Sequence, residues 1–250
     1  MGLEQLTDIN LALIGIAFFV AGCVKGVLGF GTPLIVIPVV TALFDVVTAL
    51  VIVAIPTLIP NLWQMWQFRG SSERQWQLVY LMAGMLPGIA IGVSILSKYQ
   101  ASTLLPQMLG LMIFVFLISR SLKIDRTLSA TKAKQVAFPA GVATGFLAGT
   151  VGITAPVTLT YLASQRLPRR SFIFQVSTIF AVMGGLQAIF FYRQNLVDFN
   201  VLMFSVLGLL PLFLGMWIGQ MIGGKISESI FEKLVYCVLG GIGLKLVLVI

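Results

Sequence analysis

No histidine occurs in these 250 residues, and the 8 acidic side chains are outnumbered by 16 Lys and Arg. The side chain most used as a neutral-pH proton shuttle or metal ligand is therefore missing. Charged residues make up only 10% of the chain, against roughly 25% in soluble domains. With 58% apolar residues and a mean hydropathy of +1.03, the chain cannot supply the polar surface that a soluble fold of this size exposes. Composition thus predicts an all-α polytopic membrane protein. The two cysteines, Cys23 and Cys237, both lie in apolar sequence, which leaves no basis for a disulfide framework or a zinc site. No cofactor and no metal is expected.

The formal charge of +8 would suggest nucleic acid in a soluble protein. Here no basic residues interleave with aromatics on a polar surface, so no nucleic-acid partner is expected; Lys and Arg instead retain loops on the cytoplasmic side. The lipid bilayer is the first partner, and a homo-oligomer stays open. Two N-terminal motifs are decoys. Val20-Ala21-Gly22-Cys23 resembles a lipoprotein cleavage box, but Glu4 and Asp8 precede it and no Lys or Arg does, the reverse of a signal peptide. Met1-Gly2 lacks the Ser or Thr at position 6 that myristoylation needs, since Leu6 stands there.

A membrane span takes about 20 apolar residues, and windows at 46–68, 76–97, 102–122, 171–192, 199–222 and 229–250 qualify. Residues 9–44 and 135–164 are too long for single helices. The first is interrupted at Gly26-Val-Leu-Gly29-Phe-Gly31-Thr32-Pro33, the second at Gly145-Phe-Leu-Ala-Gly149-Thr150-Val-Gly152-Ile-Thr154-Ala-Pro156. Since Gly and Pro weaken a helix by about 1 and 3 kcal/mol, each stretch is predicted to be a pair of short helices hinged at a glycine-rich break.

The two stretches also suggest an internal duplication. Gly22-xxx-Gly26 recurs as Gly141-xxx-Gly145, Phe68-Arg69 as Tyr192-Arg193, and Gly84-Met-Leu-Pro87 as Gly208-Leu-Leu-Pro211. Residues 1–122 then form a first repeat, 123–134 a cytoplasmic loop and 135–250 a second repeat, each a broken helix pair followed by three spans. Placing the loop with Arg120, Lys123, Arg126, Lys132 and Lys134 inside also places Arg69, Arg74, Arg166, Arg169, Arg170, Lys225 and Lys233 inside, leaving Lys98, Arg193 and Lys245 outside. Both termini are then expected outside. Three crossings per half make the repeats inverted, the architecture in which transporters place substrate sites between interrupted helices.

Free N–H groups at a half-helix N-terminus attract anions, and irregular backbone at this depth must line protein or a cavity. The two breaks are therefore expected to face each other across one. Lys25 adjoins the first break, where a cation is costly unless it is paired or faces water. It shares a helix face with Gly22 and Gly29, predicted to be the packed, lumen-facing side. Every acidic residue falls in a loop or at a span end, so a mobile anion is the partner that Lys25 implies. The candidate site is Lys25, Gly29, Gly31 and Thr32 with Gly149, Thr150, Gly152 and Thr154. Asn61 and Gln175 are further candidates that serve equally as interhelical hydrogen-bond partners, just as GxxxG spacings serve helix packing. Lys25 has a snorkelling alternative, in which its ammonium reaches the interface.

Two fragments are rejected. Gly219-Gln-Met-Ile-Gly-Gly224-Lys225 is followed by Ile226 where a phosphate loop needs Ser or Thr, and the run 26–31 reads GxxGxG after no strand.

The glycine-rich run from Gly26 to Leu34 with Pro38, its second copy at 141–156, and the GxxP runs at 84–87 and 208–211 resemble the sulfite exporter TauE/SafE family, also called toluene sulfonate uptake permeases. The resemblance spans almost the whole chain. One departure is Gly29-Phe30-Gly31-Thr32 where members commonly carry adjacent glycines. What the resemblance implies is movement of a small sulfur-containing anion, such as sulfite or an organosulfonate, across an inner membrane. The expected mechanism is alternating access, with Lys25 supplying charge and Thr hydroxyls donating hydrogen bonds. A channel-like uniporter is the alternative. An intramembrane enzyme is disfavoured: with no His and no membrane Asp or Glu only Ser–Lys or Cys–Lys chemistry remains, and Cys23 and Lys25, two apart on a helix, point to different sides.

Overall fold

The computed structural model describes residues 8–70, 75–121, 127–222 and 228–248, and these are helical throughout apart from short connections. The chain runs α1 (Asp8–Leu28), α2 (Thr32–Leu43), α3 (Val46–Gln67), α4 (Gln75–Tyr99), α5 (Leu104–Ser121), α6 (Ala130–Thr150), α7 (Ala155–Ala163), α8 (Arg169–Arg193), α9 (Phe199–Leu207), α10 (Leu209–Ile222) and α11 (Glu228–Leu248). Glu4, Glu73, Arg74, Lys123, Asp125, Arg126 and the rejected fragment at 224–226 lie outside the described residues.

Five stretches among the described residues are long and apolar enough to cross a membrane: α1, α3, Trp76–Tyr99 of α4, α8, and Phe199–Ile222. The last is α9 and α10 taken together. Only Gly208 interrupts it, and Pro211, with no N–H to give, weakens the ladder at the same place. Large apolar side chains lie on the outside, among them Ile91, Leu111, Ile118, Leu210 and Trp217, which is the surface that lipid tolerates.

Both expected breaks are present, with one correction to their form. Of each pair only the second helix is short, α2 with 12 residues and α7 with 9, while α1 and α6 are full-length helices of 21. Helix α6 also begins at Ala130, inside the segment expected as loop, because the Ser129 hydroxyl caps it by accepting from the Lys132 N–H.

Glycine decides how the helices pack. Helix α1 runs parallel to α10, and α4 runs parallel to α6. A Cβ added at Gly22 or Gly26 would overlap the carbonyl oxygen of Leu212 or Met216, and one at Gly215 or Gly219 that of Phe19 or Cys23. In the other pair Gly84, Gly88 and Gly92 meet Phe138, Val142 and Phe146, while Gly141 and Gly145 meet Leu81 and Met85. These are backbone-to-backbone seams that only glycine permits. They refine one expectation: the glycine face of α1 packs against the backbone of α10, with Gly22 buried there and Gly26 only half-buried.

Between the seams α3 and α8 pack antiparallel, with Gly184 against Leu58 and Ser177 donating to Gln64 Oε1 at 3.1 Å. Helices α5 and α11 also pair antiparallel, Gly110 lying near Gly243 and Phe116 stacking edge-on with Tyr236. The contacts are reciprocal between the halves: α1 meets α10 as α6 meets α4, and α2 meets α11 as α7 meets α5.

Bulk added at a seam should prevent assembly. Gly88→Val and Gly215→Val are expected to lose the monodisperse peak in size-exclusion chromatography. Gly185→Ala is the control, since nothing lies within 4 Å of its added Cβ. It should keep or slightly raise the melting temperature, because Ala favours a helix over Gly by about 0.5–1 kcal/mol. Equal behaviour of all three would remove the seams as the packing determinant.

Candidate functional site

Each seam delivers a helix end to a break. In the first, Gly29 and Gly31 have φ of 86° and 133°, and in the second Gly152 has 74°, all in the region that favours glycine. The chain then re-enters a helix at Thr32-Pro33 and Ala155-Pro156, proline suiting a first turn. Side chains cap α3, α6 and α9, through Asp45, Ser129 and Asp198, but no side-chain hydrogen bond caps α2 or α7. The N-terminal turns of the two short helices thus keep their polar N–H groups for another use.

Both turns line one cavity. Its walls are Phe30, Gly31, Pro33 and Leu34 from the first break, Gly152, Ile153, Thr154 and Ala155 from the second, and Phe180 from α8. The interior space is about 10 Å³, room for about one water. Beside it the Thr32 hydroxyl is buried and has no hydrogen-bond partner among the described residues.

Lys25 lies in the last turn of α1 and is the one buried charged side chain among the described residues, at 1% exposure. The snorkelling alternative is thereby excluded. Its ammonium donates to Asn61 Oδ1 at 2.6 Å and to the Gly29 carbonyl at 3.4 Å. The Asn61 amide in turn donates to the Thr57 carbonyl, so both acceptors of the lysine proton donors are neutral. At the second break Gln187 of α8 donates to the Ala148 carbonyl at 2.8 Å. Each broken helix is therefore pinned by a buried hydrogen bond to the third helix of its own half.

Not all candidates converge. Gly31, Gly152 and Thr154 line the cavity, and Thr32 flanks it. Gly149 is part of the α4 seam, its added Cβ meeting the backbone of Val93 and Ile89. The Thr150 hydroxyl donates to the Phe146 carbonyl at 2.8 Å, inside its own helix. Gln175 is buried in α8 and lines neither this cavity nor the one below.

A second, larger cavity of about 420 Å³ lies on the other side of Gly29. It is lined by Gly26, Val27 and Gly29, by Gln64, Gln67 and Phe68 of the α3 end, by Arg169, Arg170 and Ile173 of α8, and by Gln220. Gly29 lines this larger space, and the next two residues, Phe30 and Gly31, line the smaller one. Sequence reasoning passed over the glutamines and used the arginines only for orientation. The signal was there in α3, where Thr57, Asn61 and Gln64 recur at helical spacing through an apolar span and are all buried.

The model of the sulfite exporter TauE/SafE family matches residues 14–246. The chain belongs to the TauE/SafE family. It is a multi-pass membrane transporter of the sulfite and sulfonate type. No curated protein and no solved structure matches it. In this TauE/SafE protein the broken helices and Lys25, the single buried cation among the described residues, occupy one region, between the two seams and against α3 and α8.

The Lys25–Asn61 pair should be energetically coupled. Asn61→Leu leaves a buried ammonium short of an acceptor and is expected to cost about 2 kcal/mol, seen as a melting point several degrees lower in detergent. The double variant Lys25→Met with Asn61→Leu should lose less than the sum of the single losses. Strict additivity would mean that the bond contributes nothing.

Proposed function

We propose that the protein carries a small sulfur oxyanion, sulfite or a sulfonate, by alternating access, with the cavity between the two breaks as the occluded site. The observation that carries this reading is the pair of uncapped short-helix N-termini lining one cavity, with a buried lysine in the last turn of the helix before the first break. Two N-terminal turns present N–H groups and partial positive charge to the same small volume. Thr32 has a hydroxyl with no partner among the described residues, and Thr154 stands at the other terminus. Lys25 adds a full charge whose present acceptors are neutral, so an anion that displaces Asn61 gives the ammonium an oppositely charged acceptor and turns a charge–dipole contact into an ion pair.

The cavity is water-sized, and a three-oxygen anion fits only when the breaks move apart. That requirement favours alternating access over an open pore. The halves are read as inverted repeats of 1–122 and 135–250, supported by the antiparallel course of α3 against α8 and α5 against α11. With Arg69, Arg169 and Arg170 at the cytoplasmic end of an inner-membrane protein, the termini lie outside and the larger cavity faces the cytoplasm. Export is the direction that this arrangement and the family favour. Since the chain has no histidine and no buried carboxylate among the described residues, a coupled proton travels on Lys25 or on the substrate.

Binding of sulfite and methanesulfonate to purified protein tests the site. Lys25→Ala should weaken binding by roughly 10- to 100-fold, the range for a hydrogen bond to a charged group, and Thr32→Val by a few-fold. Affinities equal to wild type in both variants would end this assignment. Counterflow in proteoliposomes with and without an imposed pH gradient separates coupled transport from uniport.

A further inference from the structure

The larger cavity is a site in its own right. Among the described residues two arginines line it and no carboxylate does, and the N-terminus of α8, capped by no side chain, opens onto the same region behind Pro168. The two arginines do different things. Arg169 donates to the Val27 carbonyl at 3.0 Å, satisfying one of the carbonyls left over at the end of α1 and stapling the first break to α8. Arg170 is exposed, lines the cavity and makes no hydrogen bond or ion pair among the described residues. Around it the polar donors Gln67 and Gln220 stand on opposite walls, on α3 and α10.

We infer that this cavity is a capture vestibule for small soluble oxyanions, in which Arg170 supplies the attracting charge and from which the anion passes Gly29 toward Lys25. The volume of about 420 Å³ lies within the usual range of small-molecule sites, roughly 300–1,000 Å³. A cleft lined by one sign of charge with low-dielectric walls focuses its field and raises the local concentration of the opposite ion, an effect that salt weakens. Arg169 is the positioning residue, since its guanidinium is already committed to α1. The inference goes beyond the occluded site and stands whether or not Lys25 binds the anion.

Thiol labelling with charged reagents reads the vestibule directly. Gln67→Cys, in a Cys23→Ala and Cys237→Ala background and in nanodiscs of neutral phosphatidylcholine, is modified with the anionic sulfonatoethyl and the cationic trimethylammonioethyl methanethiosulfonates. Relative to a free thiol, the anionic reagent should react several-fold faster than the cationic one. Adding Arg170→Gln or raising the salt should collapse that preference, and methanesulfonate should slow labelling more than chloride at equal ionic strength. Adding Lys25→Ala should leave the preference intact, so that failure of the occluded site and failure of the vestibule are told apart. Gln220→Cys repeats the measurement from the opposite wall if the first variant does not fold. A charge preference that is absent or indifferent to Arg170 would reduce Arg170 to an orientation signal and overturn the inference. So would protection by phosphatidylglycerol in the nanodisc without protection by methanesulfonate, because the occupant would then be a lipid headgroup.

Discussion

The contact on which the rest depends is the approach of two pairs of helix backbones, α1 on α10 and α4 on α6, at distances that leave no room for a Cβ. In lipid there is no hydrophobic force to drive one apolar helix onto another, so close packing itself has to hold them. Glycine every fourth residue provides that. The cost is that a glycine face has no side chain with which to bind anything, and the polar work moves to the residues between. Lys25 falls between Gly22 and Gly26 in sequence and turns away from the seam, toward Asn61 on α3. The seams thus hold α1 and α6 as full-length helices, and the breaks and the short helices α2 and α7 hang from their ends.

The broken helices, their glycines and prolines, and the lone intramembrane lysine were all legible in the sequence, because each is a local departure from an apolar helical pattern. Which neighbour takes a given face was not. Gly22 and Lys25 were assigned to one lumen-facing side from their spacing, but three residues separate them by enough rotation to serve two different partners. Gly149 and Thr150 lie away from the cavity for a related reason. They look like members of the second break, yet α6 continues through Thr150 and commits Gly149 to α4 and the Thr150 hydroxyl to the helix backbone. Arg170 and the glutamines were hidden by their position, since a charge at a span end reads as orientation until the cavity beside it is seen.

The electrostatics of the interior follow from what Lys25 is given. A buried carboxylate would hold an ammonium tightly and cancel its charge, and removing either partner of such a pair is severely destabilising. Asn61 and the Gly29 carbonyl satisfy hydrogen bonds and leave the charge standing. The second half answers with an uncharged counterpart, Gln187 on the Ala148 carbonyl. The two breaks are thus held alike but charged differently, an asymmetry that a strictly duplicated site would lack.

The seams also bear on how the molecule is made. Each takes one helix from the first half of the chain and one from the second, so neither half contains a complete seam of its own. Helix α1 leaves the ribosome before α10, with α2 to α9 between them. Until then the glycine face of α1 lies against lipid or a passing neighbour. Helix α1 must wait for the eight helices in between before its groove is filled, and that seam closes by long-range pairing, the slow kind of contact.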